Sequence, residues 1–107
     1  MIKIVLWRHP TGDPARLTMT GHADAGPYGQ DIVCAAASAL AETLALGLKK
    51  VVPGSGMGRV DAGAVDLQFV SPLAPDARAV IETICVGFAD LAHSEPQYVR
   101  WSEKFLS

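Results

Sequence analysis

The sequence has only two cysteines among its 107 residues, Cys34 and Cys85. Two cysteines cannot form the dense disulfide framework that stabilises many small secreted domains. No pair of histidines or cysteines has the spacing of a zinc site, such as C-x-x-C or H-x-x-x-H. We therefore expect neither a bound metal nor a cofactor, and each thiol has to be judged by its own surroundings.

Basic residues are few and scattered along the chain. Nine Lys and Arg stand against eleven Asp and Glu, and the only adjacent basic pair is Lys49-Lys50. Binding by phosphate neutralisation needs clustered Lys and Arg, so we expect no direct nucleic-acid partner. Long apolar runs are also missing: the apolar run within Met1–Arg8 is too short for the core of a signal peptide, and none approaches the ~20 residues of a membrane span. The expected location is the cytoplasm, without a membrane partner.

Half of the residues are hydrophobic, which is enough for a real core in one domain of this length. We find no internal repeat, low-complexity tract or linker, so the prediction is a single domain over residues 1–107. Alternating apolar residues predict a hairpin of two strands, Met1–Trp7 and Arg16–Thr20, joined by turn-forming residues at 10–14. Short strands are also predicted at 51–52, 64–70 and 98–105.

Two helices complete the predicted order β-β-α-β-β-α-β. The first should run from Ile32 to Leu46, with Asp31 as its N-cap and Gly47 ending it. Residues 53–58 should form a flexible connection. The second helix should begin at Pro75 and present an apolar stripe of Ala77, Val80, Ile81, Ile84, Cys85, Phe88, Leu91 and Ala92. The fold class is therefore α+β, with two helices packed on a small mixed or antiparallel sheet.

The best candidates for chemistry are His22, in a glycine-rich segment, and Cys34, in the first turn of the predicted helix. Helix dipoles in a first turn favour a thiolate, which an adjacent imidazole can help to form. Asp31 would oppose the thiolate if it lay beside the sulfur, and would favour it if it oriented the imidazole instead. The alternative, common for a single cysteine, is that Cys34 is a small buried hydrophobic residue.

Other polar residues have simpler interpretations. Cys85 lies in an apolar stripe and is expected to pack in the core, and His9 and His93 are expected at the surface. Ser38 follows the candidate thiol by one helical turn, so it either lines a site or bonds back to a carbonyl. Asp24 is a loop acid that could contact a substrate.

The segment with GHA at 21–23, YGQDIVCAA at 28–36 and SA at 38–39 resembles the signature of the ribosomal-processing cysteine protease family Prp. The resemblance implies two helices on a small sheet, usually as a homodimer. It implies Cys34 as nucleophile, His22 as general base and Asp31 as a supporting residue. It also implies that residues 26–30 form a lid over the bound peptide; the expected substrate-binding and lid residues are Gly21, Asp24, Gly26, Tyr28, Gly29 and Ser38.

The family's substrate is a large-subunit ribosomal protein made with a short N-terminal extension, which is removed after an aromatic residue. The resemblance thus implies a cysteine endopeptidase acting on a ribosomal-protein precursor. Amides at the start of the first helix would then be expected to stabilise the oxyanion. The alternative is a non-catalytic ribosome-assembly or protein-binding module in which Cys34 is inert.

Overall fold

A β-hairpin forms the centre of the sheet in the computed structural model, which describes residues 1–22, 27–61 and 63–107, with only the backbone described for 27–31. Strands β1 (Ile2–Arg8) and β2 (Pro14–Thr20) pair in antiparallel fashion. Successive side chains of a strand point to opposite faces, so Ile4 and Leu6 of β1 are buried beside Met19 and Leu17 of β2. The predicted hairpin is confirmed.

Three further strands extend this hairpin into a five-stranded sheet. They are β3 (Gly56–Asp61), β4 (Ala64–Phe69) and β5 (Val99–Phe105), and the spatial order is β3-β4-β2-β1-β5. Strand β5 runs parallel to β1, whereas the other neighbouring pairs are antiparallel. The sheet is therefore mixed, and the predicted element order and α+β class are confirmed.

In the described part of the chain, helices α1 (Pro27–Lys50) and α2 (Pro75–Ser94) lie on one face of the sheet. Their buried residues include Val33, Ala37, Ala41, Leu44 and Leu48 of α1 and Ala77, Ile81, Cys85 and Phe88 of α2. The stripe predicted for the second helix thus faces the core. The stretch 32–50 is long and apolar enough to cross a membrane by length and composition alone. In this fold, however, one side of it completes the core.

The first helix is longer at both ends than predicted. It begins at Pro27 instead of Ile32, so Asp31 lies in the second turn of α1 and is not its N-cap. It also continues through Gly47 to Lys50, so Gly47 does not end the helix. Gly47 has a packing role instead, since a Cβ at this position would lie 3.2 Å from Val80 Cγ1 on α2. A small residue here lets the two helices approach closely.

The prediction around residues 51–58 is wrong. Val51 and Val52 form a turn rather than a strand, and the glycine-rich stretch read as a flexible connection contains the start of β3. Gly58 has a φ of 154°, and a Cβ there would overlap the carbonyl oxygen of Asp66 on β4. Glycine therefore permits a close approach of two strands here, whereas in the sequence it resembles a loop former.

Candidate active site

His22 follows the last residue of β2, and its backbone is fixed by the start of β1. Gly21 adopts a φ of 90°, and a Cβ there would overlap the carbonyl oxygen of Met1. The amino group of Met1 donates a hydrogen bond to the carbonyl oxygen of His22. Gly21 is thus required for a tight contact between Met1, just before β1, and the chain leaving β2. This contact fixes the backbone position from which the exposed imidazole of His22 extends.

Cys34 lies on α1, seven residues after the helix begins. Its neighbours Val33 and Ala37 are buried against the sheet, while Cys34 itself is half-buried and packs at the edge of the core. The thiol is unpaired. The helix therefore presents its sulfur at the boundary between core and solvent, where a ligand can reach it.

His22 and Cys34 line the same small pocket of about 110 Å³. The pocket opens between the sheet and α1, and its other lining residues are Ile2, Met19, Gly21, Ala37, Ser38 and Gly63. Among the described residues, no hydrogen bond joins the imidazole to the thiol. A thiol and an imidazole in one pocket can exchange a proton when a substrate closes the gap, and apo geometry is often looser than the reacting one.

Gly63, in the connection between β3 and β4, lies against the imidazole of His22. A Cβ at this position would lie 2.7 Å from Cε1 and 2.9 Å from Nε2 of His22. Its φ of 76° is also in the left-handed region that favours glycine. The sequence gives no sign of a role for Gly63, because this residue lies far from the His22 segment along the chain and carries no side chain.

Ser38 lines the pocket one helical turn after Cys34. The sequence left open that its hydroxyl bonds back to a carbonyl. Thr43 and Thr83 do so, donating to the carbonyl oxygens of Ala39 and Ala79 at 2.6 and 2.7 Å. Within the described residues Ser38 makes no such bond, so its hydroxyl is available to a bound ligand.

The longer helix corrects the expected electrostatics at Cys34. The predicted first-turn position is wrong, because the thiol lies about two turns beyond Pro27. The dipole effect falls off within the first turn, and only the first four amides of a helix lack partners inside it. Neither the dipole of α1 nor its free N-terminal amides can therefore act directly at the Cys34 sulfur, so the expected oxyanion donors are not at this helix start.

Several predicted site residues lie outside the described residues. These are Asp24 and Gly26, together with the side chains of Tyr28 and Asp31; of Gly29 only the backbone is described. The backbone of Pro27–Gln30, predicted as part of a lid loop, belongs to the first turn of α1. The supporting role of Asp31 and the lid role of this segment stay predictions.

The second cysteine has a contrasting environment. Cys85 is buried in the core beneath α2, and burial, with a smaller contribution from nearby Glu82, raises the pKa of its thiol to about 12. A thiol with that pKa carries almost no thiolate at neutral pH. The other histidines lie away from the pocket, since His9 follows the far end of β1 and His93 is exposed in the last turn of α2.

The family model of the cysteine protease Prp matches residues 1–100 of the chain. The chain belongs to the Prp family of cysteine proteases. Prp membership makes this protein a protease that uses a cysteine, and the pocket holds the one cysteine that a ligand can reach. No curated protein sequence is similar enough to the chain to add a further relative.

Several solved structures share the fold. The essential ribosomal processing protease Prp from S. aureus, in complex with a substrate peptide, is 24% identical with a TM-score of 0.86, covering 97% of this chain and 100% of that chain. The same S. aureus protease with a covalently linked product peptide is 25% identical with a TM-score of 0.81 and the same coverage. SMU.848 from Streptococcus mutans is 27% identical with a TM-score of 0.78, covering 99% and 96%.

Proposed function

We propose that this protein is a cysteine endopeptidase that removes a short N-terminal extension from a large-subunit ribosomal protein, with Cys34 as nucleophile and His22 as general base. The observation that carries the proposal is the pocket shared by these two side chains. A cysteine protease needs an accessible thiol beside an imidazole. Of the two cysteines only Cys34 meets this need, because Cys85 is buried with a raised pKa.

The reaction proceeds in two steps. His22 takes the proton of the Cys34 thiol, and the thiolate attacks the scissile carbonyl to form a tetrahedral intermediate. The imidazolium then protonates the leaving amine, which departs as the new N-terminus of the mature protein. The extension remains bound to Cys34 as a thioester until His22 activates a water that hydrolyses it. Ser38 lies beside the thiol and can hydrogen-bond the peptide backbone.

The proposed substrate rests on the structural relatives. The S. aureus proteins are described as ribosomal processing proteases, one bound to a substrate peptide and another covalently linked to a product peptide. A covalent product is what the thioester route predicts of a cysteine nucleophile. We infer that this chain acts on an N-terminally extended ribosomal protein and cuts after an aromatic residue. Such a precursor is made in the cytoplasm, where thiols stay reduced.

The test is cleavage of an extended large-subunit ribosomal protein from the same organism, followed by mass spectrometry of the products. The unaltered protein should release the extension by one cut. Cys34→Ala should abolish the cut, and His22→Ala should slow it by at least about 100-fold, since general-base catalysis contributes that much or more. Cys85→Ala is the matched control and should retain cleavage, with any loss traced to a cavity in the core.

Cleavage by the Cys34→Ala variant at the original rate would refute the proposed nucleophile. Failure of the unaltered protein to cut the precursor, combined with tight binding to it, would favour the non-catalytic ribosome-assembly or binding module instead.

We also propose that the protein acts as a homodimer. An exposed groove of about 350 Å³ runs between α1 and α2 and is lined by Thr43, Gly47, Val51, Ala79, Val80, Thr83 and Ile84. Large apolar side chains are exposed on this layer, including Ile32, Leu46 and Val86. A second copy packed on the helix layer would bury them while leaving the other face of the sheet free.

A further inference from the structure

Basic residues gather on the face of the sheet that the helices leave open. Strand alternation and register place five of the nine Lys and Arg residues of the chain there: Lys3 of β1, Arg16 of β2, Arg59 of β3, and Arg100 and Lys104 of β5. Among the described strand residues only two acids share this face, Asp61 and Asp66. A chain with a net charge of −2 therefore presents one positively charged surface.

The charge on this face is unevenly neutralised. Arg16 makes two hydrogen bonds to the Asp66 carboxylate, at 2.8 and 2.5 Å, and the Arg59 guanidinium lies 3.7 Å from Asp61. Both of these arginines thus have an acidic partner. On the β1–β5 half, by contrast, no ion pair to a described residue neutralises the three remaining cations.

These three cations, Lys3, Arg100 and Lys104, together with Trp7, form what we call the basic strip. Lys3 is in register with Arg100, and Trp7 is in register with Lys104. The ammonium of Lys104 lies 5.3 Å from the centroid of the half-buried Trp7 ring. Each of these register pairs forms one row of the strip. The two rows lie four positions apart along the strands, which is about 13 Å.

We propose that the basic strip binds single-stranded RNA. Phosphates would pair with the two rows of cations, and a base can stack on the indole of Trp7 where Lys104 now covers it. Between the rows, Ser102 of β5 lies on the same face, in register with Val5. Its hydroxyl can hydrogen-bond a ribose 2′-hydroxyl of the bound RNA. The basic strip thus offers cations for the phosphates, an aromatic ring for a base and a hydroxyl for the ribose, all on one open sheet face.

The charges also disfavour a symmetric dimer formed through this face. Two basic strips facing one another would bring like charges together, which is unfavourable. The active-site pocket lies on the opposite face, between the sheet and α1, so RNA on the strip leaves it open. The net charge of the chain gave no sign of this surface, because the acids are concentrated elsewhere: of the nine acids whose side chains the structure describes, seven lie outside the open face.

The test compares two double variants that change the charge equally. Arg100→Gln/Lys104→Gln removes two cations from the strip, and Lys49→Gln/Lys50→Gln removes two exposed cations from the end of α1. The probe is a fluorescein-labelled, mixed-sequence RNA of twelve nucleotides, titrated by fluorescence anisotropy over a range of salt concentrations. A polyglutamate peptide of equal charge serves as competitor.

We expect the unaltered protein to bind this RNA with an affinity that falls as salt rises. The strip variant should bind at least about tenfold more weakly, and its log–log salt slope should shrink by about 1.4, or 0.7 for each lost phosphate contact. The Lys49/Lys50 variant should bind within twofold of the original. The proposal is overturned by no RNA binding at low salt, by equal losses in both variants, or by polyglutamate displacing the RNA at equal concentration.

Discussion

At the scale of single residues, Gly63 shows how the main chain positions the side chain that we propose as the general base. The His22 ring lies so close to Gly63 that a methyl group cannot be added without moving the imidazole. The backbone also has a positive φ here, so any other residue would be strained by about 1 kcal/mol or more. Gly63 also lines the pocket, but it has no side chain to react, so we assign it as a positioning residue that acts through the imidazole.

Gly63→Ala should lower kcat for precursor cleavage by about 100-fold, because a catalytic group displaced by about 1 Å can cost that much. The matched control is Gly12→Ala, since Gly12 also has a positive φ, 96°, but has nothing within 4 Å of the added methyl. Both variants should lose similar thermal stability, whereas only Gly63→Ala should lose activity. Equal activities in the two variants, measured with the same precursor, would remove the assigned role of Gly63.

The two cysteines could be told apart from the sequence, and the structure gives the physical reason. Cys85 was placed in the core by the helical spacing of its apolar neighbours, and the structure confirms that it is buried. The motif pointed to His22 and Cys34, and the fold brings them to one pocket although twelve residues separate them. Gly63 and the contact of Met1 with His22 could not be foreseen, because both depend on distant strands meeting.

At the scale of secondary-structure elements, the sequence predicted whether an element is a helix or a strand better than it predicted where the element begins and ends. Periodicity identified both helices and the hairpin because one face of each packs on the core, and that signal is local. Helix α1 was predicted too short, since Asp31 and Gly47 look like terminal residues although both lie inside the helix. The third strand was predicted too early in the chain, at 51–52, because Gly56 and Gly58 of the observed β3 carry no apolar side chains to alternate.

Strands β2 and β4 are joined across the open face by Arg16 and Asp66. The Arg16 guanidinium holds the pKa of the Asp66 carboxyl below its usual value. A carboxyl with a lowered pKa in the folded state stabilises the fold above the pKa of the unfolded state, and that contribution is lost as the pH falls through the folded pKa. The stabilisation should therefore be full at neutral pH and absent in strong acid.

Arg16→Gln should reduce the free energy of unfolding at pH 7 by up to about 1 kcal/mol, the range for a solvent-exposed pair. The difference from the unaltered protein should shrink as the pH falls below about 3.8, the ordinary pKa of an aspartate, and should vanish only below the lowered folded pKa of Asp66. Arg59→Gln is the matched control and should change stability less, because its acidic partner is 3.7 Å away and both side chains are largely exposed. A stability difference for Arg16→Gln that stays constant from pH 7 to pH 3, in urea titrations, would contradict the account.

At the scale of the whole molecule, the two faces of the fold differ in character. The helix layer exposes apolar side chains around a groove, and the open sheet face exposes cations. A single chain can therefore hold a second copy on one side and keep the other side free. The proposed peptide site lies between these surfaces, where the sheet meets α1.

If the groove between the helices is the dimer interface, Val51→Glu should shift the protein to a monomer, because Val51 lines the groove and is 68% exposed in the single chain. Burying an unpaired carboxylate in an apolar interface is strongly unfavourable. Met57→Glu is the matched control: Met57 is 78% exposed on β3, away from this groove, and its variant should remain dimeric. Light scattering after size exclusion measures both, and a dimeric Val51→Glu protein would place the interface elsewhere.

The central claim is that Cys34 forms a thioester with the N-terminal extension while His22 moves the proton. The direct measurement is a single-turnover reaction with the extended precursor, quenched in acid and examined by intact and peptide mass spectrometry. The account predicts a transient adduct with the mass of the extension less one water, located on the peptide that contains Cys34. It is contradicted if the precursor is cleaved while no adduct forms on Cys34 at any time point, or if the adduct is on Cys85.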